Sequence, residues 1–245
     1  MLLDYLSGSL DLSTFFIDLL LCLPGYLLAM SMHEAAHAYA AYRCGDPTAQ
    51  MLGRLTLNPL KHVDPMGLFM LFFAGFGWAK AVPVNPRNFK HYRRDDFFVS
   101  VAGITANLIQ FVIGYFVMFG LLVMAFNKVQ YVLPGWVNED IVAYALGDTM
   151  GYVYQMLTFY VSVNITLAVF NLLPIPPLDG YHILNDLVLK RPLFADIKAQ
   201  RIGYMVLMAL IFSGFWRRII SALSGGAYEL MSNVATAIFR AFGWL

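Results

Sequence analysis

LSTFFIDLLLCLPGYLLAMSMHEAAHAYAA, residues 12–41, holds only two charged side chains, Asp18 and Glu34. About 20 apolar residues in a helix cross the hydrocarbon core of a bilayer, so this stretch is long enough to span one. Near its end stands His33-Glu34-Ala35-Ala36-His37. On a helix, His33 and His37 project from one face, close enough for both imidazoles to bind a single Zn²⁺. Glu34 then lies beside the metal, where a carboxylate can take a proton from an activated water. An ionisable group at membrane depth is costly unless it is paired or coordinated. That cost favours a metal site over two histidines and a glutamate lining an ordinary helix.

Composition sets the frame for this stretch. The chain is 60% hydrophobic and 13% charged, whereas soluble domains are nearer half apolar and about a quarter charged. It reads as a polytopic membrane protein. A net charge of +1 with no basic run gives no sign of a nucleic-acid partner. Cys22 and Cys44, if both lie on the first helix, are separated by about 33 Å and cannot pair. The N-terminus lacks the basic region of a cleavable signal peptide, so the first apolar stretch is expected to remain in the mature protein.

Hydropathy predicts three strong spans, at about Leu12 to Ala41, Phe97 to Phe126 and Ile141 to Leu173. A weaker segment runs from about Ile202 to Trp216. A further one, about Ile219 to Phe242, is interrupted by Gly225-Gly226 and Arg240 and fits either a span or an interfacial helix. Residues 43–96 hold eight of the sixteen Lys and Arg, which assigns that loop to the cytoplasm. The loop from Asn127 to Asp140 carries only Lys128 and is assigned outside. Lys190, Arg191, Lys198 and Arg201 then return the chain inside. Arg217 and Arg218 fit this scheme poorly if the fourth segment crosses. The first helix thus runs inward, leaving His33 and His37 roughly 7 to 15 Å below its cytoplasmic end at 1.5 Å per residue.

Within the basic loop, Met51 to Asn58 has the partial alternation of a short strand, and Val82-Pro83-Val84-Asn85-Pro86 resembles an edge strand. Gly67 to Trp78 is apolar but too short to span, so a re-entrant segment is expected there. An interfacial loop is the plainer alternative.

A catalytic zinc usually has three protein ligands and one open position. The third ligand is sought among the acids and His62, His91 and His182. Asp179 stands out in Asn171-Leu172-Leu173-Pro174-Ile175-Pro176-Pro177-Leu178-Asp179-Gly180, where three prolines end the third span on the same side as His33 and His37. Its residue type serves equally as the N-cap of a helix beginning near Tyr181.

These residues carry a resemblance. The chain is similar to the site-2 protease family of intramembrane zinc metalloproteases, in a minimal form without a PDZ or CBS domain. His33 to His37 match its H-E-x-x-H signature, and Asn171 to Gly180 match its N-x-x-P-x-P-x-L-D-G motif. Gly103-Ile104-Thr105-Ala106-Asn107 matches G-x-x-x-N on the middle helix. Gly53 to Pro59 and His62 to Pro65 extend the likeness. The resemblance implies that His33, His37 and Asp179 bind one zinc ion and that Glu34 is the general base. It further implies that Asn171 and Asn107 help position substrate or stabilise the oxyanion, although Asn serves as readily in helix-to-helix hydrogen bonds.

The fold expected is an all-α polytopic membrane protein. A three-helix catalytic core over about 12–190 is followed by C-terminal helices over about 200–245, with a short re-entrant or β-hairpin element in the first cytoplasmic loop. One membrane-embedded domain covers 1–245. The activity expected is hydrolysis of a peptide bond in or near a transmembrane segment of a protein substrate, as in regulated intramembrane proteolysis or the clearance of signal-peptide remnants. The location expected is a prokaryotic cell membrane, with the site towards the cytoplasm. The rival reading is a membrane metal transporter or metal-sensing protein, which needs polar residues through the full membrane depth.

Overall fold

A computed structural model describes residues 11–74, 77–129, 138–189, 197–213 and 215–244. In chain order the helices are α1 (Leu12–Arg43), α2 (Thr48–Met51), α3 (Pro65–Ala74), α4 (Tyr92–Lys128), α5 (Asn138–Leu146), α6 (Asp148–Asn171), α7 (Asp179–Leu184), α8 (Ile197–Phe212) and α9 (Phe215–Ala241). A π-helical turn, Asn185–Leu189, extends α7. Asp11 starts α1 by accepting the Thr14 backbone N–H at 3.3 Å, which satisfies one of the donors a helix start leaves free.

Among the described residues, α1, α4 and α6 are the helices long and apolar enough to cross a membrane, and they pack on one another. Their outward faces are apolar, with Leu20 68% and Ile113 60% exposed, while Ser31, Asn107, Gln110 and Asn164 are buried inside. Polar groups inside and aliphatic groups outside suit lipid as the solvent. In lipid, apolar burial gives helices no reason to associate, so close packing and interhelical hydrogen bonds must hold them. Both occur here. A Cβ on Gly25 would lie 3.0 Å from Tyr160 Cβ, so α1 and α6 approach closely, and the Asn107 amide donates to Asn164 Oδ1 at 2.9 Å across α4 and α6.

The third span is not one helix. α5 ends at Gly147, whose φ of +96° favours glycine, and α6 begins one residue later. α5 folds back along α6, so that a Cβ on Gly151 would sit 2.8 Å from Ala143 Cβ. Hydropathy overlooks this break because both limbs are apolar and a single glycine makes the corner. Residues 130–137, on which part of the outside loop assignment rests, lie outside the described residues, as do Lys190 and Arg191.

The C-terminal segments also separate. The apolar part of α8, Gln200–Ile211, is shorter than a span. α8 begins near the cluster of prolines, with Gly203 against Pro176. α9 then runs the length of the bundle: Tyr228 bonds Ser162 at 2.9 Å, Phe239 stacks edge-on with Phe119, and the Trp244 carbonyl accepts from Asn127 at the far end of α4. Arg217 and Arg218 therefore start a helix that leaves the Asp179 end, which removes their conflict with the charge pattern. Gly225 and Gly226 lie inside α9 and do not interrupt it.

Among the described residues the first loop forms no strand. Thr48–Met51 is helical, Gly53 turns at φ +64°, and the stretch expected to extend to Asn58 bends instead. A single antiparallel bridge joins Val63 to Ala79. The short apolar segment is helix α3, whose Leu71 packs with Cys22, Tyr26 and Met30 of α1. Cys22 lies eleven residues before His33, so the loop descends along α1 well past the histidines before Trp78 returns beside Gly67. Gly75 and Phe76 at its tip lie outside the described residues.

Candidate active site

α1 presents three side chains in two directions. His33 and His37 turn towards α4 and α7, and Glu34 turns towards the returning limb of the loop. Each imidazole is oriented from behind. His37 donates from Nδ1 to the Val99 carbonyl at 2.7 Å, a bond that fixes its tautomer because a carbonyl only accepts. His33 Nδ1 lies 2.5 Å from Asn107 Oδ1, and Asn107 is held by its amide bond to Asn164. Both Nε2 atoms are then bare lone pairs, yet they face each other at 3.0 Å. Asp179 Oδ2 lies 3.5 and 3.4 Å from them. That oxygen atom is buried and has no hydrogen-bond partner among the described residues.

Three lone-pair donors in mutual contact repel one another unless a cation lies between them. Zinc bonds of 2.0 to 2.2 Å at tetrahedral angles place ligand atoms about 3.3 Å apart, close to the separations seen. The residues therefore fit a zinc ion. His33, His37 and Asp179 form the one cluster of three His, Cys, Asp or Glu ligands among the described residues.

Two glycines make this approach possible. A Cβ on Gly103 of α4 would overlap His37 Nε2 and lie 2.7 Å from His33 Cε1. A Cβ on Gly180 would lie 2.6 Å from the Leu173 carbonyl oxygen, so only glycine lets the start of α7 tuck under the end of α6. Pro174, Pro176 and Pro177 turn the chain between those helices, and Leu178 rather than Asp179 occupies the N-cap position of α7. Asp179 is thus free to face the histidines. One turn later, His182 Nδ1 meets Asp96 Oδ2 of α4 at 3.0 Å, which ties the helix of the third ligand to the helix that orients the other two.

Glu34, 8% exposed, accepts the Val82 backbone N–H on Oε2 at 2.7 Å. Val82 belongs to the segment read as an edge strand, and it packs with Ala38 and Ala49.

Asn107 is fully buried behind His33, and both ends of its amide are engaged. Asn171 lies at the end of α6, where its amide donates to the Leu167 carbonyl at 3.1 Å. The other histidines stand apart from the cluster. His62 bonds the Thr56 carbonyl through Nε2, His91 precedes α4, and His182 pairs with Asp96. Sequence reasoning missed Asp46, Arg54, Asp96, the Val99 carbonyl and Asn164. Of these, Asn164 carried a signal as a polar residue at helix depth in an apolar span, and Arg54 stood within the Gly53 to Pro59 stretch that extends the family likeness.

A family profile described as peptidase family M50 matches residues 23–214. "Putative zinc metalloprotease YwhC" of Bacillus subtilis (strain 168) is 36% identical over 214 residues, covering 87% of this chain and 90% of that protein. Rip2 of Mycolicibacterium smegmatis, described in the same words, is 29% identical over 237 residues, with 92% and 79% covered. Rip2 of Mycobacterium tuberculosis (strain ATCC 25618 / H37Rv) is 30% identical over 197 residues, with 78% and 66% covered. No solved structure matches the chain. The match runs through both motifs and all three apolar helices, and the chain belongs to peptidase family M50 as a membrane-embedded zinc metalloprotease.

Proposed function

We infer that the chain hydrolyses a peptide bond in or near a transmembrane segment of a membrane-protein substrate, with His33, His37 and Asp179 holding one zinc ion and Glu34 as general base. The observation that carries this is the cluster of three bare donor atoms, all within 4.8 Å of one another, on the face of α1 next to Glu34. Zinc held there would polarise the scissile carbonyl and acidify a water. Glu34 is anchored through Oε2, which leaves Oε1 to accept the proton from the attacking water and pass it to the leaving amine. Asn107 acts on His33, directing its Nε2 lone pair at the metal. Asn171, at the end of α6 before the prolines, is the amide available to a substrate carbonyl.

A helical substrate hides its carbonyls in its own backbone bonds and must unwind before water can attack. The extended segment around Val82 to Asn85 offers a backbone edge to which an unwound peptide can add. The chain acts as a single protease domain in a prokaryotic cell membrane. The basic loop and the Asp179 end lie towards the cytoplasm, as the Lys and Arg distribution supports. The donors gather at one level of the bundle rather than through its depth, which favours an enzyme over a transporter. Glu34→Gln keeps the bonding shape but removes the base. It is expected to abolish cleavage of a membrane-reconstituted substrate while zinc content stays near one per chain. Substantial residual proteolysis in that variant would overturn the assignment.

A further inference from the structure

Asp46 and Arg54 are buried charged side chains, 0% and 8% exposed, and neither belongs to the metal cluster. Arg54 has no ion-pair partner among the described residues. Burying a charge is costly unless its hydrogen bonds are replaced, so what each one grips is informative. Arg54 donates from Nη2 to the Lys80 carbonyl at 2.5 Å and the Ala81 carbonyl at 3.4 Å. Asp46 accepts the Asn85 backbone N–H and the Asn88 side-chain amide, both at 2.7 Å. The two residues hold opposite ends of one strap, Lys80 to Asn85. Lys80 is pinned further by its N–H to the His62 carbonyl at 2.8 Å. In the middle of the strap, Val82 donates to Glu34 Oε2, and Pro83 stiffens the next position by fixing φ.

We propose that Arg54 and Asp46 are positioning residues for the general base: they clamp the strap at both ends, so that the Val82 N–H fixes one oxygen of Glu34 and leaves the other to take the proton. Glu34 is a flexible side chain on a helix, and without that bond its carboxylate can rotate away from the metal. Misplacement of a reacting group by about 1 Å can cost roughly 100-fold in rate. The proposal rests on Glu34 being the base.

The test uses the zinc-loaded full chain in detergent with fluorescently labelled casein as probe. Val82→Pro removes the N–H, in an extended segment that tolerates proline, and Val82→Ala, which keeps the N–H, controls for loss of the side chain packed on Ala38 and Ala49. Val82→Pro, Arg54→Met and Asp46→Ala are each expected to lower kcat by about 100-fold, with KM and zinc content unchanged. Arg54→Lys, which returns one donor to Lys80, recovers part of the loss. Combining Arg54→Met with Val82→Pro adds no further loss, because both act through one bond. Wild-type kcat in Val82→Pro, or additive losses in the double variant, would overturn the clamp. Amide exchange in the peptide covering 79–88 judges it without catalysis. The Val82 amide is expected to be protected in the wild type and released in Arg54→Met, Asp46→Ala and Glu34→Ala; equal exchange rates in all four refute it. If Val82→Pro does not fold, a backbone ester at position 82 removes the same N–H. Casein cleavage that survives Glu34→Gln would refute the assignment of the base, and with it the catalytic meaning of the clamp, while the exchange data still report whether the clamp exists.

Discussion

Asn107→Leu tests the metal centre from behind. The side chain is fully buried and joins three helices: His33 of α1 at 2.5 Å, Asn164 of α6 at 2.9 Å, and the Ala29 carbonyl at 3.4 Å. Leucine is close to isosteric, so packing is largely retained while His33 loses the acceptor for its Nδ1–H. The ring can then turn or change tautomer, and Nε2 no longer points steadily at the metal. Removing such a partner typically costs 10- to 100-fold in metal affinity, equivalent to about 1.4 to 2.8 kcal/mol. Asn107→Asp separates this effect from loss of the interhelical amide bonds, because it keeps the acceptor for His33 and sacrifices the donor to Asn164 and the Ala29 carbonyl. Zinc affinity, measured by competition with a chromogenic chelator in detergent, is expected to fall 10- to 100-fold in Asn107→Leu and to stay near wild type in Asn107→Asp. Equal affinity in Asn107→Leu and wild type would refute the claim that Asn107 orients His33. Equal losses in both variants would mean that the bond to Asn164 carries the effect.

Gly103→Ala places a methyl group in steric overlap with His37 Nε2. It is expected to reduce bound zinc to a small fraction of one per chain, measured by elemental analysis, whereas alanine at Gly225, which has nothing within 4 Å, leaves zinc unchanged. His182 is raised above its usual value by its hydrogen bond to Asp96, against the opposing effect of burial, with the charges of Asp96, Asp179 and Asp186 also raising it. Its bond to Asp96 thus contributes stability in full below about pH 6.5 and loses it as pH rises through the raised value. Asp186, pushed up to about 6 by burial and by Asp96, and pulled down by His182 and Arg93, is past the midpoint of its own titration at that pH. Thermal stability above pH 6.5 should therefore fall more steeply in the wild type than in His182→Asn, and identical slopes would contradict the pairing. Asp46 shows the opposite sign. Burial alone would raise it, but bonds from Thr48, Asn85 and Asn88 together hold it below the ordinary carboxylate value. Its contribution is present above about pH 4 and is lost as pH falls through the lowered value, and an acid melting series in which Asp46→Asn matches the wild type would contradict this.

The candidate site residues were legible because their chemistry restricts both type and spacing. Two histidines four apart on a helix, a glutamate between them and an aspartate after a Pro-rich break leave few other uses, and the apolar surroundings made each charged residue costly enough to be informative. α1 and α4 were legible from length and hydropathy alone. The α5–α6 corner at Gly147 was not, because a backbone reversal at one glycine leaves the apolar pattern unchanged. Nor was the first loop, where alternation over Met51 to Asn58 promised a strand but Gly53 turned the chain and no partner strand lay alongside.

The sequence by itself pointed to lipid as the solvent, to the spans of α1 and α4, and to His33, Glu34 and His37 as candidates for a metal site, with Asp179 added by the family resemblance, since composition and ligand chemistry are local properties. Only the tertiary structure decided what stands behind those residues. Val99, Asn107, Asp96 and the Arg54–Asp46 strap reach the site from positions 12 to 83 residues distant from the ligand or base they serve. Their contributions are a carbonyl, a buried amide, a carboxylate and a backbone N–H. None of these groups is distinctive in a sequence, because each matters only through what the fold places beside it.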